Sequence, residues 1–278
     1  MPPLLAPVVA NCRRAALVLT GTAIFYVLLA YVALPFAWTH YEHQKALAGL
    51  SMVTLTKEGI PGDPINVGLV GSKAEVLCAM NAAGWYPADP ITLSTSVEII
   101  GSVLLDRPYR HAPVSPLFYE GRREDLAFEK PIGSSADRRN HVRYWEALKQ
   151  GEEGRTVWLG AATMDRGVGF SHDTGQVTHH IAPDIDAERS ALMADLQAAK
   201  VVETLYEVTG VGPTLNGRNG GGDPYWTDGE TVIARLSQGC AMQVTAPAKR
   251  LSNPFFVQLK NWLWQTIARP MLRQADEK

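Results

Sequence analysis

The chain has 278 residues, enough to bury a sizeable core as one large or two small domains. Hydrophobic residues make up 46% and charged residues 19%, an ordinary balance for a globular protein carrying one membrane segment. The formal charge is −2, and the first 38 residues hold Arg13 and Arg14 and no acid, so the remainder carries 24 basic against 28 acidic groups. Such a body lacks the basic surface that displaces counterions, which excludes nucleic acid as an expected partner.

Residues 1–14 are predicted to be a cytoplasmic N-terminus. Residues 15–38 (AALVLTGTAIFYVLLAYVALPFAW) contain no charge and are long enough to cross the hydrocarbon core as a helix. Arg13 and Arg14 at the near end predict a single-pass inner-membrane anchor, with the C-terminal body outside the cytoplasm. Trp38 and Tyr41 suit an aromatic belt at the far interface. A cleaved signal peptide is the alternative; the apolar run is long for that, and no A-x-A site follows it closely.

Residues 39–62 read as a linker closed by the turn residues Pro61-Gly62-Asp63-Pro64. An α+β domain is predicted over 63–245. It opens with a strand at 65–70 and a helix at 73–83, capped by the Ser72-x-x-Glu75 box and stopped at Gly84. A second helix is expected over 94–105 and a hairpin around 121–124. Strands follow at 141–148, 155–164 and 175–181, with a turn over 165–173. Short connections between neighbouring strands argue for a mostly antiparallel sheet with covering helices. A helix over 185–199, a strand at 201–208, a glycine-rich loop over 210–229 and a strand at 231–236 complete the domain. Residues 246–278 are predicted to form an amphipathic helix. Its Phe255, Leu259, Trp262 and Leu263 share one stripe, and Trp262 and Trp264 suit a membrane interface as well as they suit packing on the domain. Cys78 and Cys240 could pair in an oxidising compartment or stay as two buried thiols.

Three clusters could carry chemistry. His179, His180, Asp184, Asp186 and Glu188 combine imidazole with carboxylate, the donor set of a divalent transition metal, and His180 with Asp184 is the candidate pair. Neighbouring strand residues face opposite ways, so His179 and His180 cannot both enter one site without a bulge. Arg122, Arg123, Arg143 and Arg166 are candidate anion or phosphate ligands, because guanidinium suits bidentate phosphate recognition, although solvated ion pairs are the usual meaning of such runs. His141, Asp165 and His179 are the candidate catalytic residues. Ser171-His172-Asp173 has the components of a triad, but consecutive residues cannot form one, and no G-x-S-x-G elbow occurs.

The blocks DPINVGLVGS (63–72), AAGWYPADP (82–90), RPYRHAPVSPLF (107–118), GRREDLAFEKP (121–131), HVRYW (141–145), VWLGAATMDRGVGFS (157–171) and TGQVTHHI (174–181) make the chain resemble the LssY C-terminal domain family over about residues 60–240. The resemblance transfers no reaction and no catalytic residue. It implies a bacterial membrane setting, since similar domains occur beside DedA-like or phosphatidic-acid-phosphatase-like membrane domains. This chain has a single spanning segment and no phosphatase signature, so lipid-phosphate chemistry would have to reside in the body itself. The expectation is an envelope-facing module that binds lipid head groups or a membrane protein. The alternative is a hydrolase of phosphorylated or lipid-linked substrates that could use a divalent metal.

Overall fold

A computed structural model describes residues 5–88, 116–132, 138–172, 175, 177–212, 215–240 and 246–276. It separates into two compact units, residues 1–39 and 40–278. The first unit is helical: α1 (Leu5–Leu28), a π turn (Leu29–Ala33) and α2 (Leu34–Trp38). Asn11–Trp38 is the one helical stretch among the described residues long and apolar enough to cross a membrane. At 28 residues it would extend about 42 Å, against roughly 30 Å of hydrocarbon. The π turn has a local cause. Pro35 brings no N–H and its ring would strike the carbonyl four residues back, and a widened turn relieves the clash, with the Leu34 N–H bonded to the Leu29 carbonyl.

The second unit begins at His40, so most of the predicted linker is part of the body. In chain order its elements are β1 (Val53–Leu55), β2 (Pro61–Pro64), β3 (Val67–Val70), α3 (Lys73–Ala82), β4 (Tyr86–Pro87), β5 (Phe118–Tyr119), β6 (Arg122–Arg123), β7 (Leu126–Pro131) and β8 (Arg139–Leu148). Then come β9 (Val157–Phe170), β10 (Val177–Ile181), α4 (Ile185–Ala198), β11 (Val202–Thr209), β12 (Asn216–Arg218), β13 (Pro224–Trp226), β14 (Glu230–Leu236), β15 (Lys249–Arg250), α5 (Phe255–Leu263), a π turn (Trp264–Ala268) and α6 (Arg269–Asp276). The main sheet runs β15-β11-β14-β3-β9-β8-β7-β4, with β10 added to the far half of β9. Its pairs are antiparallel except β3–β14 and β11–β15. A smaller sheet, β2-β1-β5-β6, and the hairpin β12-β13 complete this α+β architecture.

Two apolar layers cover opposite faces of the main sheet, as the period of two along its strands requires. Val67, Leu69, Val142, Tyr144 and Trp158 meet Val76 and Met80 of α3 and Leu192 and Leu196 of α4. Val70, Trp145, Val157, Leu159 and Ala161 face the other way, toward Leu47, Met52 and Tyr119. Three indoles of this core are satisfied: Trp85 donates to Asp195, Trp145 to the Arg122 carbonyl and Trp158 to the Gly71 carbonyl.

The predicted start and stop of α3 are both present. Ser72 Oγ accepts from the Glu75 N–H while Glu75 Oε2 accepts from the Ser72 N–H at 2.7 Å. At the other end Gly84 takes φ 78°, and Trp85 and Gly84 N–H close on the Met80 and Asn81 carbonyls in a Schellman arrangement. Ser72→Ala is therefore expected to lose about 1 kcal/mol, read as a lowered urea midpoint with an unchanged slope.

Several expectations need correction. The predicted turn over 165–173 is strand as far as Phe170, because β10 pairs with residues 165–170. Arg122 and Arg123 belong to β6, and the hairpin tip is Glu120-Gly121, both with positive φ. The glycine-rich loop carries the β12-β13 hairpin. The helix expected over 94–105 lies outside the described residues. Cys78 is disulfide-bonded and Cys12 is free, while the Cys240 side chain lies outside those described.

Candidate functional site

The site grows from the second face of β8 and β9. Near Val157–Ala161 that face is apolar; two residues further along it turns polar. Arg139, His141 and Arg143 alternate along β8, so all three point to this side, opposite Asp165, Thr163 and Ala161 of β9. Glu129 on β7 stands opposite His141. Beyond Asp165 a bulge interrupts the pairing of β9 with β10, with Ile181 opposite Asp165 and His180 opposite Gly167. Asp165, Ile181 and His179 consequently share the polar face.

These residues line a cavity of about 290 Å³ together with Lys57, Glu58, Asp63, Ser171, Thr178 and the Asn219–Gly221 loop. His141 Nδ1 lies 3.1 Å from Asp165 Oδ1, and its Nε2 lies 2.7 Å from Thr163 Oγ1. Arg139 bridges Asp165 at 3.0 Å and Glu129 at 2.9 Å, and Arg143 reaches Asp63 at 3.2 Å. His179 Nε2 is buried without a hydrogen-bond partner among the described residues. The buried carboxylates Asp63 and Asp165 stand beside Arg139, Arg143 and Lys57 around the cavity, with Glu129 behind Arg139, so groups of both signs are presented to a bound polar group.

The electrostatics separate the members. Burial alone would raise the Asp165 carboxyl, but His141, His179 and Arg139 outweigh it and hold it below the usual carboxylate range. For His179 burial dominates. Asp165 opposes it, Arg139, His141 and Arg143 reinforce it, and the imidazole is brought down to about 4. A carboxylate fixed in its ionised form, an imidazole against it and a second imidazole held neutral can move protons to and from a bound group.

The structure thus brings His141, Asp165, His179 and Arg143 together. It does not gather the other candidate anion ligands. Arg122 pairs with Asp125 and Arg123 with Glu124 on the small sheet, and Arg166 pairs with Asp276 at 2.6 Å near the chain's end. The metal pair His180 and Asp184 is not formed. Asp184 caps α4 and is taken up by Arg269 and Arg273, whereas His180 turns to Asp223. Of the interface candidates, Trp38 ends the apolar N-terminal helix half-exposed. Tyr41 packs into the second apolar layer of the body, which removes it from an interface role. Trp264 is corrected too: it is 3% exposed, and its indole donates to Asp186.

Trp262, at 58% exposed, remains outside. It belongs to a stripe of Phe255, Phe256, Leu259, Trp262, Leu263 and Ile267, all facing away from the body. The helix is held by its other side, where Val257, Lys260 and Trp264 are buried. Lys260 bonds Glu230 and the Asp228 carbonyl, and Asn261 bonds Glu207. Of the lining residues, Arg139 and Asp63 were not among the candidate site residues, nor was Glu129, which stands behind Arg139 as its ion-pair partner. The alternation Arg139-x-His141-x-Arg143 carried a signal for Arg139; Asp63 looked only like part of a turn.

A family model described as the LssY C-terminus matches residues 46–231. No curated protein and no solved structure matches the chain. The matched span takes in the described cavity residues and most of the main sheet, and at two thirds of the length it places the chain in the LssY C-terminal family.

Proposed function

We propose that this is a membrane-anchored enzyme of the exported compartment that hydrolyses a polar head group, phosphorylated or lipid-linked, by general acid–base chemistry. The observation that carries the reading is the convergence of His141, Asp165 and His179, from three strands, on one cavity. An enzyme needs that meeting of groups, and a surface binding module does not. His141, oriented by Asp165, is the residue to exchange a proton with the substrate; Arg143 and Lys57 would position its polar end. The outward apolar stripe of α5 suits contact with lipid, since contiguous exposed apolar surface of this kind is uncommon on soluble bodies. The disulfide at Cys78 suits an oxidising compartment and therefore an exported body.

The second reading is a module that holds a head group without transforming it, favoured by Arg139 and Arg143 being already paired with acids. Full-length protein in lipid nanodiscs, given phosphoester, carboxylic ester and glycoside head-group probes, separates the two. The enzyme reading expects turnover of at least one probe, slowed about 100-fold by His141→Gln and unaffected by the exposed Lys73→Ala. Equal turnover by wild type and His141→Gln would sink it. Saturable binding without turnover would leave the second reading.

A further inference from the structure

Next to the cavity but not among the residues that line it, His172, His180 and Asp223 form a second cluster. One potential ligand atom from each lies within 4.8 Å of the other two. His180 Nδ1 is 2.7 Å from Asp223 Oδ1, and His172 Nε2 is 3.5 Å from the same oxygen. The two imidazole rings are 5.3 Å apart between centroids.

We infer that these three residues bind a divalent transition metal of the zinc class. The donor set of two imidazole nitrogens and one carboxylate oxygen suits zinc-like ions, whereas calcium and magnesium take oxygen donors. A tetrahedral ion about 2.0–2.1 Å from each ligand atom separates those atoms by roughly 3.4 Å. The His172–Asp223 edge already has that length. The His180–Asp223 edge has to open by roughly 0.7 Å once the shared proton leaves, and the remaining edge has to close through side-chain rotation.

The carboxylate is fixed from behind. Asp223 Oδ2 accepts the Ile181 N–H at 3.1 Å, and the Asp223 N–H donates to Asn219 Oδ1 at 2.9 Å, which leaves Oδ1 toward the histidines. The His172 N–H is tied to the Gly221 carbonyl at 2.9 Å, so the same loop holds both ligands. Gly169 makes room for the His180 ring: a Cβ there would lie 2.4 Å from its Nε2. Exposure rises from 6% for Asp223 through 30% for His180 to 60% for His172. Three protein ligands opening outward leave a coordination position for water or a substrate oxygen, the arrangement of a working zinc site in preference to a closed structural one. This inference does not rest on the acid–base reading of the cavity, because it uses none of the residues that line it.

Titration of the detergent-solubilised full chain with zinc chloride, against a chromophoric chelator, tests it. One equivalent of zinc is expected, with His172→Ala and Asp223→Asn each weakening it about 100-fold. Gly169→Ala retains all three ligands and is expected to weaken binding through displacement of the His180 ring. The His172 side chain is mostly exposed, so His172→Ala folds as wild type does and its loss of zinc cannot be ascribed to unfolding. No zinc bound by the wild type at micromolar concentration overturns the site, and so does an unchanged affinity in His172→Ala.

Discussion

Replacing Arg189 by methionine is expected to destabilise the body by about 3–5 kcal/mol, the cost of removing one partner from a buried ion pair. Arg189 is fixed by Asp228 through two hydrogen bonds, at 2.8 and 2.6 Å, and donates a third to the Glu230 carbonyl at 2.7 Å. Asp186 lies 3.3 Å from the same guanidinium and also accepts from Thr227, the Asp228 N–H and the Trp264 indole. Without the arginine, Asp186 and Asp228 would face each other in the interior with their mutual repulsion uncompensated. The C-terminal helix would loosen as well, since Trp264 and Lys260 anchor it to this cluster. Unfolding of the solubilised chain should show a transition lower by roughly 10 °C. The double variant Arg189→Met with Asp228→Leu should lose less than the sum of the single losses, because the charges are then removed together. A loss under about 1 kcal/mol for Arg189→Met would mean that water or relaxation already serves these acids.

Periodicity and capping carried the helices and most of the strands. The Ser72 box, Gly84 and the acid-rich start of α4 are local chemistry, written within a few residues of where it acts. The order of strands was not legible in the same way. β3 lies between β9 and β14, and its partner on one side is parallel and more than 150 residues distant in the chain. No short-range pattern encodes such a pairing; it follows from burying both faces of Val67–Val70 at once. The strand over 165–170 was hidden because Gly167 and Gly169 have the look of a turn. Gly169 is there for another reason, the close approach of the His180 ring.

The site was half legible for the same reason. His141 and His179 lie on strands whose alternation could be read, whereas Asp165 looked like the start of a turn; the bulge opposite Ile181 puts all three on a common face. The pairing of His180 with Asp223 could not be read, since it depends on how the 219–223 loop folds back over β10. For the C-terminal helix the sequence left packing on the domain and a membrane interface as equal alternatives. Its apolar stripe was correctly located, yet the buried side is the one carrying Lys260 and Trp264. Its π turn ahead of Pro270 repeats the device seen before Pro35, with the Arg269 N–H reaching the Trp264 carbonyl. The helix is thus anchored through Val257, Lys260 and Trp264 and leaves Phe255, Phe256 and Trp262 exposed.

Glu188 provides a second large effect, visible in pH dependence. It sits in the first turn of α4, buried, with Oε1 unpartnered among the described residues. Burial, then the nearby Asp195 and Asp165 carboxylates, pushes it up to about 8 from an ordinary 4.5, with Lys130 opposing. A folded-state value above the unfolded one means that the folded protein holds a proton the unfolded chain has released. The corresponding stability is fully present below about pH 4.5 and is lost as pH rises through about 8. At about 1.4 kcal/mol per pH unit, the whole window amounts to a few kcal/mol. Glu188→Gln removes the titration while keeping the shape. The stability difference between wild type and variant should therefore drift in the variant's favour from pH 5 to pH 9, whatever its sign at the start, and level off beyond. Parallel urea titrations at a series of pH values read this directly, and a difference that stays constant across the window would show that Glu188 is ionised in the fold.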